Sequence, residues 1–145
     1  MFSQLLRRLS APAPPARPES RVALAALLVR LARADGDYAP GEAAQITLVL
    51  AARFDLSPFT AAALRIEGEA LEADAADTVQ FTRALKEVVA LQDRASLMQT
   101  MWTVVLADGA RAAEEEAVMR MVASLLGLSD RDSALARQRA GGQRR

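Results

Sequence analysis

The 145-residue chain contains no cysteine and no histidine. The first absence removes every disulfide framework and leaves no compartment to be read from thiols. Together the two absences exclude thiolate chemistry and every couple of a nucleophile with an imidazole base. No Gly-rich phosphate loop follows a segment that reads as a strand. Aromatic residues are scarce, with one Trp, one Tyr and four Phe, and the six prolines and seven glycines sit in a handful of places. No apolar run reaches the length of a membrane span, since the longest, 22–29, stops at Arg30. Arg7 and Arg8 are not followed by an apolar stretch, so a secretory signal is not expected. The formal net charge is zero, which removes the electrostatic argument for a nucleic-acid partner.

What is present is aliphatic. Apolar residues make up 52% of the chain, mostly Ala, Leu and Val, a composition that favours packed helices. The length fits one compact domain. Charge is uneven: arginines gather towards both ends, while the stretch from Asp35 to Asp77 is mostly acidic.

In chain order, Phe2, Leu5, Leu6 and Leu9 fall on one face of a short helix, with Arg7 and Arg8 opposite. Such a helix docks either on its own domain or on a partner or membrane surface. Residues 11–19 hold four prolines and read as an extended tether. The segment 20–34 is apolar nearly all round, as a central helix is. Gly36 is placed to end it, and Pro40 to open a second helix reaching Asp55, with Glu42 at the third helical position. Ser57-Pro58 caps a third helix to about 71. Asp74 or Asp77 opens a fourth, 75–91, with an inward stripe of Phe81, Leu85, Val88 and Val89.

The pattern then recurs. An offset of 73 sets Leu24, Leu28, Leu31, Asp35, Gly36 and Glu42 onto Leu97, Met101, Val104, Asp108, Gly109 and Glu115. Met98, Met101, Trp102 and Val105 read as core. A further helix ends at Gly127, and Ser129 with Asp132 caps a last one to about 140, leaving 141–145 as a disordered basic tail. The expectation is an all-α bundle of two three-helix repeats, 20–71 and 93–140, related by duplication and joined by the helix 75–91.

The repeated phrase Ala-Asp-Gly followed by Glu is the one candidate site. A carboxylate at a helix C-terminus opposes the helix dipole, so Asp35 and Asp108 call for compensation. Each Asp can accept hydrogen bonds in its turn while each Glu caps the next helix. Alternatively Asp35, Asp37 and Glu42, and Asp108 and Glu115, converge on a hard cation, Ca²⁺, Mg²⁺ or Mn²⁺. The spacing matches the second half of an EF-hand loop, but Leu31, Arg33, Val104 and Leu106 stand where its first half needs oxygen ligands. With only carboxylates available, and those in turns, enzymatic activity is not expected.

The segments AALLVRLARADGDYAPGEAAQITLVLAARFDLSP, FTRALKE and MWTVVLADGARAAEEEAVMRMVASLLGLSD resemble the TerB-like family, named after a tellurite-resistance protein and similar also to the N-terminal domain of a membrane-anchored DnaJ-type co-chaperone. The likeness covers residues 20–139. It implies an all-helical bundle, metal-binding acids in the two turns, and a part in stress-associated or membrane-linked complexes. Ala39 and Ala112 stand where members often carry a further acid, and Ala110 and Arg111 follow the second glycine. Two function classes follow. One is a non-enzymatic interaction module with a protein partner, cytoplasmic or peripheral to the inner membrane through Phe2, Leu5, Leu6 and Leu9. The other is a stand-alone divalent-cation-binding protein. No oligomeric state follows from the sequence, and no thiol is present to reduce tellurite.

Overall fold

The computed structural model describes residues 2–10, 17–35, 38–108 and 112–143. Among these residues there are eight helices and no strand: α1 (Phe2–Leu9), α2 (Pro18–Asp35), α3 (Pro40–Phe54), α4 (Pro58–Ala73), α5 (Thr78–Val88), α6 (Leu91–Asp108), α7 (Ala112–Leu125) and α8 (Asp130–Gln143). The expected all-α class is what the structure has. The chain divides into two units, Phe2–Ala76 and Asp77–Arg145.

In the first unit α2 is the centre. Every residue from Ala23 to Val29 is buried, and Leu31 and Ala32 with them, because an alanine- and leucine-rich helix has no polar face to present to water. α4 crosses α2 with Ala61, Leu64, Gly68 and Glu72 inward. Gly68 is where the two backbones meet. A Cβ at that position would stand 2.6 Å from Ala25 Cβ and 2.8 Å from the Ala26 backbone nitrogen, so only glycine permits the approach. α3 packs on α4 and α2 through Ile46, Val49 and Leu50. α1 lies on α3 and α2, with Leu5, Leu6 and Leu9 buried, and Arg53 Nη1 donates to the Leu9 carbonyl at 3.3 Å. The side chain of Phe2 lies outside the described residues, as do residues 11–16.

The second unit is formed by α5, α6, α7 and α8. α8 lies on α6, α5 on α7, and α7 touches both α6 and α8. α2 and α6 also begin and end at the offset of 73 read from the sequence. Each unit holds one helix beyond three, α1 in the first and α5 in the second. The core includes Phe81, Leu85, Met98, Met101, Met119, Val122 and Leu126. Val88, expected on the inward stripe, is instead 36% exposed. The helix stops there, and Val89, also expected inward, is buried on extended backbone (φ −125°, ψ 129°). Arg94 is buried and ties three elements together, its Nη1 donating to the Leu126 carbonyl at 2.6 Å and its Nε to the Val89 carbonyl at 3.2 Å.

Local chemistry sets the boundaries. Ser57 Oγ accepts from the Thr60 N–H at 3.1 Å with Pro58 next to it, and Asp77 Oδ1 accepts from the Gln80 N–H at 2.9 Å. Asp74 ends α4 instead of opening α5. Ser129 and Asp132 form the reciprocal box, at 3.0 and 3.1 Å. α3 and α7 end alike, at a left-handed residue, Asp55 (φ 53°) and Gly127 (φ 70°), each followed by an N–H reaching five residues back. α8 continues through Gly141 and Gly142 to Gln143, past the point where the tail was expected to begin. Glycine weakens a helix without ending it unless the backbone turns left-handed. No single helix among the described residues is long and apolar enough to cross a membrane, and α3 with α4, which together would be, are bent by 116°.

The contact at Gly68 gives the first prediction. Gly68→Ala adds a methyl group against backbone atoms that cannot rotate away, so it should destabilise the chain by about 1–3 kcal/mol in urea unfolding. Alanine otherwise favours a helix interior by about 1 kcal/mol. A stabilised variant would mean that α2 and α4 are free to part.

Candidate functional site

The first acidic turn joins α2 to α3. Glu42 is half-buried at the third position of α3, and its Oε2 accepts the Ala39 N–H at 3.2 Å. Ala39 is extended (φ −83°, ψ 162°), and its carbonyl takes the N–H groups of Glu42 and Ala43. Ala39 has no side-chain acceptor, so Glu42 supplies the only side-chain half of this cap. The side chain of Asp35, together with Gly36 and Asp37, lies outside the described residues. So do the side chains of Asp108 and Glu115 and the whole of Gly109. Of the proposed ligands, then, only Glu42 is placed, and it is placed as a cap. Among the described residues no three His, Cys, Asp or Glu side chains are grouped to hold an ion.

Beside this turn runs a chain of charged side chains that joins α2, α3 and α4. Glu72, 4% exposed, receives both arginines of the end of α2: Arg33 Nε at 2.9 Å on Oε1 and Arg30 Nε at 3.2 Å on Oε2. Arg30 Nη2 also donates to the Ala75 carbonyl at 3.3 Å. The Arg33 guanidinium stacks on the Tyr38 ring, 5.0 Å from its centre. The Tyr38 hydroxyl donates to Glu69 Oε2, which also accepts Arg65 Nη1 at 2.6 Å, and Arg65 Nε donates to Thr47 Oγ1 at 2.8 Å. Among these described side chains three arginines are paired with two glutamates. Arginines at the end of α2 favour the negative end of its helix dipole.

Burial first, and the bond to Glu69 second, push the Tyr38 hydroxyl up from 10.0 to about 12. The second unit has polar contacts of its own among α6, α7 and α8. Trp102 Nε1 donates to Ser133 Oγ at 3.2 Å, and Arg137 lies 4.8 Å over the Trp102 ring with Nη1 3.4 Å from Glu116 Oε1. That pair is about half exposed on each side and contributes little.

Sequence reading passed over Glu72, Glu69, Arg30 and Arg65. The available signal was position: Glu72 continues the inward stripe Ala61, Leu64, Gly68, and a carboxylate on a core stripe needs a cationic partner. Its partners are 39 and more residues away in the chain, which no local spacing reports.

The other prominent feature of this unit is apolar and outward. Phe59 is 86% exposed, Leu48 69% and Ile66 55%. Chemically the described residues offer a buried ion-pair lock and an exposed apolar face. A family model described as Tellurite resistance protein TerB matches residues 21–138. No curated protein and no solved structure matches the chain.

Two predictions follow from the lock. Glu72→Ala leaves Arg30, largely buried, without its carboxylate, and should destabilise the protein by roughly 3 kcal/mol, far more than Glu42→Gln, which keeps a cap acceptor. Tyr38 is the chain's one tyrosine, so absorbance near 295 nm reads it alone. Its titration midpoint should fall near 12, against an ordinary 10.0. Because the folded state holds this proton more tightly, the contact contributes fully below pH 10.0 and is lost as pH rises towards about 12. Tyr38→Phe should remove that slope from alkaline unfolding, and a midpoint near the ordinary value would disprove the contact.

Proposed function

Since the chain belongs to the TerB family, we propose that it works as a non-enzymatic helical interaction module whose docking face is the outward side of α3 and α4. The observation that carries this reading is Phe59, an aromatic side chain left 86% exposed at the start of α4. Ile66 two turns further on, and Leu48 on the neighbouring α3, are also exposed. A cluster of large apolar side chains turned outward from a well-packed unit marks a surface that another molecule covers. The link to stress or tellurite resistance comes from the family's name, and the absence of cysteine leaves this chain no thiol with which to reduce tellurite.

The divalent-cation reading of Asp35, Asp37, Glu42, Asp108 and Glu115 rests on the repeated spacing and on the family resemblance, and its readout is separate. A photo-crosslinking phenylalanine analogue placed at position 59 in the native host should yield a discrete crosslinked protein. The same analogue at Arg131 on α8 should not. No product from 59, 48 or 66 would end the interaction reading. A rise in the melting temperature of chelator-treated protein with millimolar Ca²⁺, Mg²⁺ or Mn²⁺, by linkage about 2.7 kcal/mol at a hundred times the dissociation constant, would instead favour cation binding.

A further inference from the structure

The outward residues of α4 have the spacing of a helix-packing seam. Phe59, Ala63, Ile66 and Ala70 recur at intervals of four, three and four residues, and all are exposed. They form one stripe about 16 Å long on a helix that rises 1.5 Å per residue. Bulky Phe59 and Ile66 alternate with alanines, which leaves room for knobs from a second helix between them.

One edge of the stripe is acidic. Glu67 and Asp74 stand seven residues apart, both exposed, and among the described residues neither carboxylate has a hydrogen-bond or ion-pair partner. The arginine of the same helix, Arg65, is already held by Glu69 and Thr47. On α3 the outward residues Ala44, Leu48 and Ala52 carry no charge. The surface is therefore apolar along its middle and negative along one side.

We propose that this face of α4 binds an amphipathic helix of another protein, one with an aliphatic stripe and lysines or arginines along one edge. The proposal rests on the interaction-module reading and names the class of partner. Charge separates it from the other occupants of an apolar face. A second copy would pair through a twofold axis, and because Glu67 adjoins Ile66 at the middle of the stripe, the two Glu67 carboxylates would be set against each other. An anionic lipid surface would be repelled by the same edge.

The test uses the full chain and a fluorescent 18-residue helical peptide with Leu at i, i+3, i+4 and i+7 and Lys on the other face. Its twin carries Glu in place of Lys. Anisotropy at 50 mM salt should show binding of the Lys peptide and none of the Glu peptide. Phe59→Ser should weaken binding tenfold or more, and Glu67→Lys with Asp74→Lys by a similar factor that shrinks at 300 mM salt. Glu87→Lys on α5 should change nothing. These residues are exposed, so melting curves should stay near wild type.

Equal binding of the two peptides, or insensitivity to the charge reversals, would overturn the proposal. So would a dimer in sedimentation that Phe59→Ser dissolves, or flotation with phosphatidylcholine–phosphatidylglycerol vesicles that it abolishes. If the peptides fail while position 59 still crosslinks to a protein, the partner class is wrong and the interaction reading stands. If both fail, both are withdrawn.

Discussion

The approach of α4 to α2 at Gly68 fixes much of the first unit. With no Cβ between them, the two backbones come close enough that Gly68 rests on Ala25 and the Ala26 nitrogen. Once Gly68 is inward, the 3.6-residue period dictates the rest of α4. Ala61 and Leu64 lie on the same buried side, and so does Glu72 one turn further on. Phe59, Ala63, Ile66 and Ala70 are turned outward by the same rotation. The buried carboxylate and the exposed apolar stripe are thus two consequences of one packing contact.

Burying Glu72 would be unfavourable on its own, since a carboxylate loses several kcal/mol of hydration in an apolar setting. Arg30 and Arg33 at the end of α2 supply its counter-charges, and the stacking of Arg33 on Tyr38 extends the contact to the chain leading into α3. The end of α2 and the chain entering α3 are thereby tied to α4. In the second unit α6, α7 and α8 are joined by Trp102 to Ser133 and by Arg137, which lies over Trp102 and beside Glu116.

Local signals made most of the fold legible in the sequence. Pro40, Ser57-Pro58, Asp77 and the Ser129–Asp132 box act within one turn of themselves, so reading them needs no tertiary knowledge. The apolar stretch of α2 and the methionines of α6 likewise report burial by composition and period. What was not legible depends on contacts between distant residues. Gly68 looks like a weak point in a helix until α2 is laid against it. Arg94 reads as a surface charge until the Val89 and Leu126 carbonyls are brought to it. Val88 faces outward although the stripe placed it inward, because the helix ends at Val88 and only Val89, on extended backbone, turns in. At the candidate site, Glu42 was readable as a cap because its partner is three residues away, whereas Tyr38, Glu69 and Glu72 are joined to their partners only by the fold.

The comparison of α4 with α8 bears on whether the outward stripe is a by-product of packing. Each is the fourth helix of its unit, and each lies along the unit's central helix. α8 exposes Arg131, Arg137, Gln138 and Arg139, with Leu135 as its one large apolar exception. α4 exposes Phe59, Ala63, Ile66 and Ala70, with charge only at the edge. A helix in this position is therefore stable with a hydrated face, and packing alone does not demand an apolar one. Water contact with Phe59 and Ile66 brings no folding advantage and raises the tendency to associate. The proposed docking of a basic amphipathic helix accounts for an apolar seam where the architecture tolerates arginine, and the carboxylates of Glu67 and Asp74 beside it match the charge of such a partner.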